Sequence, residues 1–98
     1  MTIFDTVARG VAYLESVVKG CGGPSKDWYV GISHDAIGRL AEHGMTKNPF
    51  VGWAEFTDGE IARSVEEYFL ATGMQGDMGG GIEEKPPTQV YVFRQPRV

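Results

Sequence analysis

The sequence predicts an α+β protein in which a small three-stranded β-sheet is flanked by three helices. Apolar residues recur at helical spacing in three segments and alternate with other residues in three more. Turns rich in glycine and proline separate these segments. A chain of 98 residues has the length of one domain. We therefore predict a single domain over residues 1–98, with an N-terminal helix at 2–19 and a core at 27–94.

The first predicted element is an amphipathic helix over residues 2–19. Its apolar side consists of Ile3, Phe4, Val7, Val11, Leu14 and Val18. The segment Gly20–Pro24 ends the helix, because glycine and then proline stop helical structure. We expect the helix to cover one face of the sheet, and the open alternative is that its apolar stripe binds a partner.

A short strand at residues 27–33 is predicted to turn directly into a helix at 35–43. Residues of the strand alternate between the two faces of the sheet. Asp35 can cap the start of the helix, and Gly44 is well placed to end it. A strand followed at once by a helix brings the side chains of both elements near one end of the sheet.

Three polar residues of this strand and helix are candidates for a functional site. Tyr29 lies on one face of the strand, and Arg39 and His43 share a face of the helix because they are four residues apart. Each residue also has a purely structural interpretation. Tyr29 could expose its hydroxyl, Arg39 could pair with Asp35 or Glu42, and an imidazolium at His43 would suit a helix C-terminus.

The remaining predicted elements are a second strand, a third helix and a last strand. Residues 50–56 form an alternating segment rich in aromatic side chains, which predicts a strand. The pattern Thr57-x-x-Glu60 is a capping box, which opens a helix that continues to about residue 72. Residues 88–94 alternate again and predict the third strand of the sheet.

Glu66 occupies the edge of the apolar side of the third helix at 100° per residue. Two interpretations remain open. A partly desolvated carboxylate suits the binding of a metal or a proton, whereas an ordinary boundary glutamate would be solvated.

Two segments are predicted to be connections. Asn48–Pro49 is a turn, and residues 73–87 form a glycine-rich loop of the length that tends to be functional or disordered. Consecutive glycines can present amide groups to an anion. No Gly-Lys-Ser/Thr follows the loop, so it is not a P-loop.

The composition restricts the classes of partner. Nine basic residues stand against 13 acidic ones, a formal charge of −4. This balance does not support a general electrostatic grip on nucleic acid, although a local site remains open, as does a protein partner. The single cysteine, Cys21, excludes an internal disulfide and a cysteine zinc cluster. The sequence shows neither a signal-peptide pattern nor an apolar run of roughly 20 residues, so we expect a cytoplasmic protein without membrane contact.

Several motifs in order resemble those of the GIY-YIG nuclease superfamily. They are Tyr29-Val30-Gly31, then Arg39-Leu40 with His43, then the helix Ala62–Leu70 that carries Glu66. The resemblance implies an endonuclease, a hydrolase that cleaves the phosphodiesters of DNA or RNA with Mg²⁺ or Mn²⁺. The resemblance also implies a role for each of four residues. Tyr29 and His43 would be candidates for the general base that activates water, Arg39 would bind the phosphate, and Glu66 would bind the metal.

The sequence departs from the family pattern at two places. The family's first strand, with its own tyrosine, is not found before Tyr29, and no asparagine follows Glu66, because Asn48 is the only one in the chain. The last strand could take the vacant place in the sheet, so that Tyr91 replaces the missing tyrosine. Tyr91 is therefore a fifth candidate catalytic residue.

Two other functions compete with the nuclease. The first is a catalytically inactive GIY-YIG-like scaffold that binds a protein or a nucleic acid. Its adaptable apolar surface would consist of Met45, Phe50, Trp53, Met74 and Met78. The second is a small-ligand binder that uses the glycine-rich loop at 73–87.

Overall fold

The computed structural model describes residues 3–44, 50–76 and 87–95. The predicted α+β class is confirmed, with one strand more than expected. The elements are β1 (Ile3–Phe4), α1 (Val7–Cys21), β2 (Trp28–Ser33), α2 (Ala36–Glu42), β3 (Val51–Phe56), α3 (Gly59–Ala71) and β4 (Gln89–Arg94), with a short 3₁₀ turn at Ser25–Asp27.

The four strands form one mixed sheet in the order β1-β3-β4-β2. The last strand in sequence, β4, lies in the interior of the sheet and is antiparallel to both of its neighbours, β3 and β2. The short β1 runs parallel to β3 at one edge. The sheet is therefore completed only when the C-terminal strand enters between two strands formed earlier in the chain.

Helices cover both faces of the sheet. Helices α1 and α3 pack on one face and bury the larger core, whose fully buried members include Leu14, Trp28, Val30, Val65, Val90 and Val92. On the other face lies α2, which buries Ala36 and Leu40 against two aromatic residues of β4. Because α2 has only seven residues, it leaves part of this second face accessible, and the candidate site lies there.

The N-terminal helix begins later than predicted. The expected helix over 2–19 is in the structure a strand, β1, followed by α1 from Val7 to Cys21. The carbonyl of Phe4 accepts a hydrogen bond from the amide of Thr57, which follows β3. The side chain of Thr6 then caps α1. Pairing with a distant strand thus overrides the helical periodicity of the first residues.

The cap of α3 is also shifted by one residue. Asp58, rather than Thr57, caps the helix, because its Oδ1 accepts a hydrogen bond from the amide of Ile61 at 2.9 Å. The predicted capping box at Thr57-x-x-Glu60 is therefore wrong in its first position. Thr57 is still held by the sheet through its bond to Phe4, so the helix cannot begin before Asp58.

The start and end of α2 agree with the prediction. The Asp35 side chain accepts a hydrogen bond from the amide of Gly38 at 3.0 Å. Gly44, just after the helix, has a φ of 75°, a conformation that glycine adopts without strain. The two local signals that define this helix are therefore confirmed.

Several predictions fall outside the described residues. They concern the turn at Asn48–Pro49, Met45 and Met78 of the apolar surface, and most of the loop at 73–87. Across 3–44, 50–76 and 87–95, no helix combines the length and the apolar character needed to cross a membrane.

Candidate functional site

The insertion of β4 beside β2 places Tyr91 on the α2 side of the sheet. Tyr91 pairs with Gly31 of β2 on one side and with Trp53 of β3 on the other. A Cβ atom at Gly31 would lie 2.2 Å from the Tyr91 hydroxyl. The tyrosine ring therefore extends over the glycine, and the missing side chain at Gly31 provides its space.

Helix α2 brings two basic groups to this tyrosine. The guanidinium of Arg39 lies close enough to the Tyr91 hydroxyl for the two groups to interact electrostatically, and the Tyr91 hydroxyl oxygen lies 3.4 Å from Nε2 of His43. Arg39 also pairs with Glu42 at 2.9 Å, and half of its side chain is exposed. The interactions with Tyr91, followed by that with Glu42, raise the pKa of Arg39 above its usual value. The guanidinium thus stays charged while it faces solvent.

Tyr29 completes the group as an aromatic neighbour. Its ring centroid lies 5.0 Å from that of His43, 5.0 Å from that of Phe93 and 6.4 Å from that of Tyr91. These are distances at which aromatic rings attract one another. The rings hold the imidazole of His43 beside the strand, although His43 follows the last residue of α2.

We call Tyr29, Arg39, His43 and Tyr91 the α2-side site. All four were predicted from the sequence, and they come from two strands and from the helix with the residue that follows it. Tyr91 was expected there only if the last strand entered the sheet beside β2, which it does.

The environment of Tyr91 favours a neutral hydroxyl. Its side chain is only 1% exposed, and burial is the largest cause that raises its pKa above the usual value, followed by the charge of a tyrosinate at Tyr29. The interaction with Arg39 acts in the opposite direction but is outweighed. Near neutral pH the Tyr91 hydroxyl therefore carries its proton and can donate a hydrogen bond.

Glu66 lies in the other helical layer. It is one of the sheet-facing residues of α3 and is 3% exposed, so the interpretation as a solvated boundary residue is wrong. Its charge is the smallest of the causes that raise the pKa of Tyr91. Glu66 thus acts on the α2-side site electrostatically, from a helix on the opposite face of the sheet.

The donor set does not form a metal site held by the protein alone. Within the described ranges, no group of three or more histidine, cysteine, aspartate or glutamate side chains could hold a metal ion. Glu66 offers one carboxylate, whereas Mg²⁺ needs six oxygen ligands and often takes several from water and from substrate phosphates.

The predicted apolar surface is only partly present. Met74 is 6% exposed and belongs to the core on the α1 and α3 side, so its assignment to a surface is wrong. Phe50 and Trp53 are half-buried. Trp53 packs against the buried cluster that contains Tyr91.

Sequence reasoning did not single out Glu55. It shares the α2-facing side of β3 with Trp53, and its Oε1 accepts a hydrogen bond from the hydroxyl of Thr88 at 3.1 Å. Its Oε2 is buried and accepts no hydrogen bond from the described residues. The alternation of β3 places Glu55 and Trp53 on the same face and could have identified it.

Comparison with known proteins identifies no relative. No protein-family model matches the chain, and neither a curated protein nor a solved structure matches it. The fold and the site alone therefore define the class: a small α+β protein that gathers two phenols, an imidazole and a guanidinium on one side of a mixed sheet.

Proposed function

We propose that the chain is a GIY-YIG-like domain whose α2-side site binds a phosphodiester group of a nucleic acid. The observation that carries the proposal is the contact of a half-exposed Arg39 with the buried hydroxyl of Tyr91, with His43 beside it. A guanidinium can bind two phosphate oxygens at once. An imidazole N–H can donate to the oxygens that remain, and the buried Tyr91 hydroxyl lies beside the guanidinium and the imidazole, where it can help to position them.

The charges of the site suit a local contact with phosphate. The chain is acidic overall, so long-range attraction of nucleic acid is weak and binding depends on the few groups in the site. We therefore expect a ligand that places one phosphodiester on Arg39. The sequence-based expectation of a cytoplasmic protein would put this binding in the cytoplasm.

Binding of labelled DNA and RNA oligonucleotides, followed by fluorescence anisotropy, tests the proposal. Arg39→Ala should weaken binding by about tenfold or more, because hydrogen bonds to charged groups contribute roughly 1.5–3 kcal/mol. Arg63→Ala is the matched control, since Arg63 is an exposed arginine on α3, in the opposite layer. Equal loss in both variants, or no loss in either, would contradict a site at Arg39.

Cleavage of the bound phosphodiester with Mg²⁺ or Mn²⁺ is a second candidate function. The specific observation in its favour is that the charge of the buried Glu66 acts on Tyr91, so that a carboxylate and the α2-side site are electrostatically linked. Because Glu66 is buried on the opposite face of the sheet, a metal ion at the α2-side site would take its ligands from the phosphodiester and from water, and Glu66 would act on it only through its charge.

An assay with labelled oligonucleotides, in Mg²⁺, in Mn²⁺ and in a chelator, tests the second candidate. We expect Glu66→Gln to slow cleavage while binding is retained, because it removes a charge behind the site, and Arg39→Ala to weaken both cleavage and binding. Cleavage that neither substitution changes would come from a contaminating nuclease and would contradict the assignment. Binding without cleavage in wild type would leave the binding module as the function.

A further inference from the structure

One edge of the sheet is open along part of β3. Strand β1 pairs only with the last two residues of β3, so within the described ranges residues 51–54 have no strand beside them. The opposite edge differs. There the amide of Val30 in β2 donates to the carbonyl of Gln75, and the amide of Gln75 donates to the carbonyl of Trp28. We call the open side of residues 51–54 the β3 edge.

The main chain of the β3 edge presents hydrogen-bonding groups to the outside of the sheet. Near the two ends of the strand, the amide of Phe56 and the carbonyl of Phe50 both bond on the β4 side. Bonding sides alternate along an antiparallel pair, so the amides and carbonyls of Val51 and Trp53 point away from β4. A row of such groups is a template for one more strand.

The sequence of residues 51–54 does not discourage this pairing. The segment is Val-Gly-Trp-Ala and contains neither a charged residue nor a proline. Natural proteins usually protect an open edge with charged side chains, above all lysine, or with proline. The absence of this protection in the segment is typical of an edge that pairs with another chain.

A cavity of about 480 Å³ lies along the β3 edge. It is lined by residues 51–55 of β3 and by two aromatic residues, Phe4 and Tyr13. Phe4 belongs to β1, the strand that already pairs with the far end of β3. The cavity therefore lies where a strand in line with β1 would continue the sheet.

Apolar side chains flank this position on both faces of the sheet. On the α2 side, Val51 and Trp53 are half-buried. On the α1 side, Tyr13 is 43% exposed and its ring centroid lies 5.4 Å from that of Phe4. Side chains of an added strand point alternately to the two faces, so both sets would contact apolar groups and bury apolar area.

We propose that the β3 edge binds a short extended segment of another protein, which adds to the sheet as a strand in line with β1. The segment forms main-chain hydrogen bonds with Val51 and Trp53, and its apolar side chains contact Tyr13 on one face and Trp53 on the other. Because the chain has a net charge of −4, association is faster for a segment with basic flanks than for one with acidic flanks. The inference does not depend on phosphate binding at the α2-side site.

The length of the open edge favours a short segment over a second copy of this chain. Four residues of a strand span about 13 Å. If two copies paired antiparallel through this edge, β1 of each copy would occupy the position that the partner strand needs beyond residue 54. The contact would then be far smaller than the roughly 20–30 residues on each side of a stable interface. A peptide needs no such area, because main-chain hydrogen bonds supply much of its affinity.

Hydrogen exchange measured by NMR at single amides tests the open edge directly. In the free protein, Val51 and Trp53 should exchange about tenfold or more faster than Gly52 and Ala54, whose amides bond to β4. The peptide Lys-Lys-Val-Thr-Val-Thr-Val-Lys-Lys should slow the first pair and leave the second pair unchanged. Slow exchange of Val51 and Trp53 in the free protein, or no slowing by the peptide, would overturn the proposal.

Fluorescence anisotropy of the labelled peptide distinguishes strand addition from apolar adhesion. One version is N-methylated at its valines and another at its threonines, and the amides of only one of these alternating sets can face β3. One version should therefore lose binding by about tenfold or more while the other keeps most of it. Equal binding of both versions and the parent peptide would contradict strand addition. Tighter binding of a version with glutamates in place of the lysines would contradict a basic partner.

Val51→Pro tests the edge from the side of the protein. Proline is tolerated on an edge strand where its missing amide would face outward, so the fold and the slow exchange of Ala54 should be retained. Binding of the peptide should fall by about tenfold or more, because one main-chain donor is lost. Unchanged binding in this folded variant would contradict the proposal.

Tyr13→Ala tests the apolar contact on the α1 side and should weaken peptide binding by about tenfold. Ile37→Ala is the matched control, since Ile37 is a 63% exposed apolar residue on α2 and should bind the peptide like wild type. Equal loss in both variants would indicate general adhesion and overturn the site. A wild-type dimer that Val51→Pro dissociates, measured by analytical ultracentrifugation, would identify a second copy as the occupant and overturn the proposed partner.

Discussion

At the scale of single residues, the α2-side site depends on one absent side chain. Gly31 lies under the ring of Tyr91, and any larger residue there would occupy the same space as the hydroxyl. Gly31 lies inside a strand, where glycine is usually unfavourable. Its presence is explained by the close approach of a tyrosine from another strand.

We therefore predict that Gly31→Ala damages both the fold and the site. The new methyl group would force Tyr91 away from Arg39, with a loss of stability of about 1–3 kcal/mol and weaker phosphate binding. Urea unfolding and oligonucleotide titration measure the two effects. Gly20→Ala is the control: its Cβ meets nothing within 4 Å, and removing a helical glycine stabilises by about 0.5–1 kcal/mol. Equal stability of the two variants would contradict this explanation of Gly31.

The raised pKa of Tyr91 predicts a loss of stability in alkali. The unfolded chain releases this proton near pH 10, whereas the folded protein retains it to higher pH. The folded state therefore binds more protons in that range, so the stabilisation is complete below about pH 10 and is lost as the pH rises through the folded pKa.

Thermal unfolding from neutral to alkaline pH measures this effect. Tyr91→Phe should show a shallower decline of Tm above about pH 10 than wild type. Tyr68 is the comparison: its pKa is raised by a hydrogen bond to Glu15, but its side chain is 41% exposed. A decline that Tyr68→Phe flattens more than Tyr91→Phe would show that burial of Tyr91 is not the main cause.

At the scale of elements, the starts of the helices depend on where the sheet ends. Thr57 and Asp58 are neighbours, and both residue types cap helices well. The amide of Thr57 donates a hydrogen bond to the carbonyl of Phe4 in β1. Thr57 therefore continues the pairing of β3 with β1, and the next residue, Asp58, caps α3. Local sequence identifies the region of the helix start, and the strand pairing selects the residue.

This gives a matched pair of substitutions. Asp58→Ala should destabilise the protein by about 1 kcal/mol, since it removes the acceptor for the amide of Ile61. Thr57→Ala should have a much smaller effect, because its side chain is exposed and is not the cap. Urea unfolding measures both, and a larger effect at Thr57 would restore the capping box that the sequence predicts.

At the scale of the whole molecule, one face of the sheet carries most of the hydrophobic core and the other face carries the residues of the proposed function. The larger core, with most of the fully buried aliphatic side chains, lies between the sheet and helices α1 and α3. The short α2 covers only part of the other face, where the α2-side site lies. A rigid sheet packed on one side can thus hold polar groups in place on its other side.

The order of the strands determines which groups meet on that face. Tyr91 and His43 are 48 residues apart in the chain, yet they are neighbours because β4 enters between β3 and β2. If β4 had added at the β1 edge of the sheet instead, it would not neighbour β2 and Tyr91 would not lie over Gly31. The resemblance to the GIY-YIG superfamily supplied the hypothesis for Tyr91, and the strand order supports its geometry.

The sequence by itself determined the α+β class, the helix that follows β2, and the shared location of Tyr29, Arg39 and His43. These features depend on periodicity and on residues within a few positions of one another, so neighbouring residues suffice to predict them. The tertiary structure alone decided the strand β1, the cap at Asp58, the burial of Glu66 and the place of Tyr91 beside Arg39. Each of these depends on contacts between segments far apart in the chain, and local preference carries no information about which distant segment will pair.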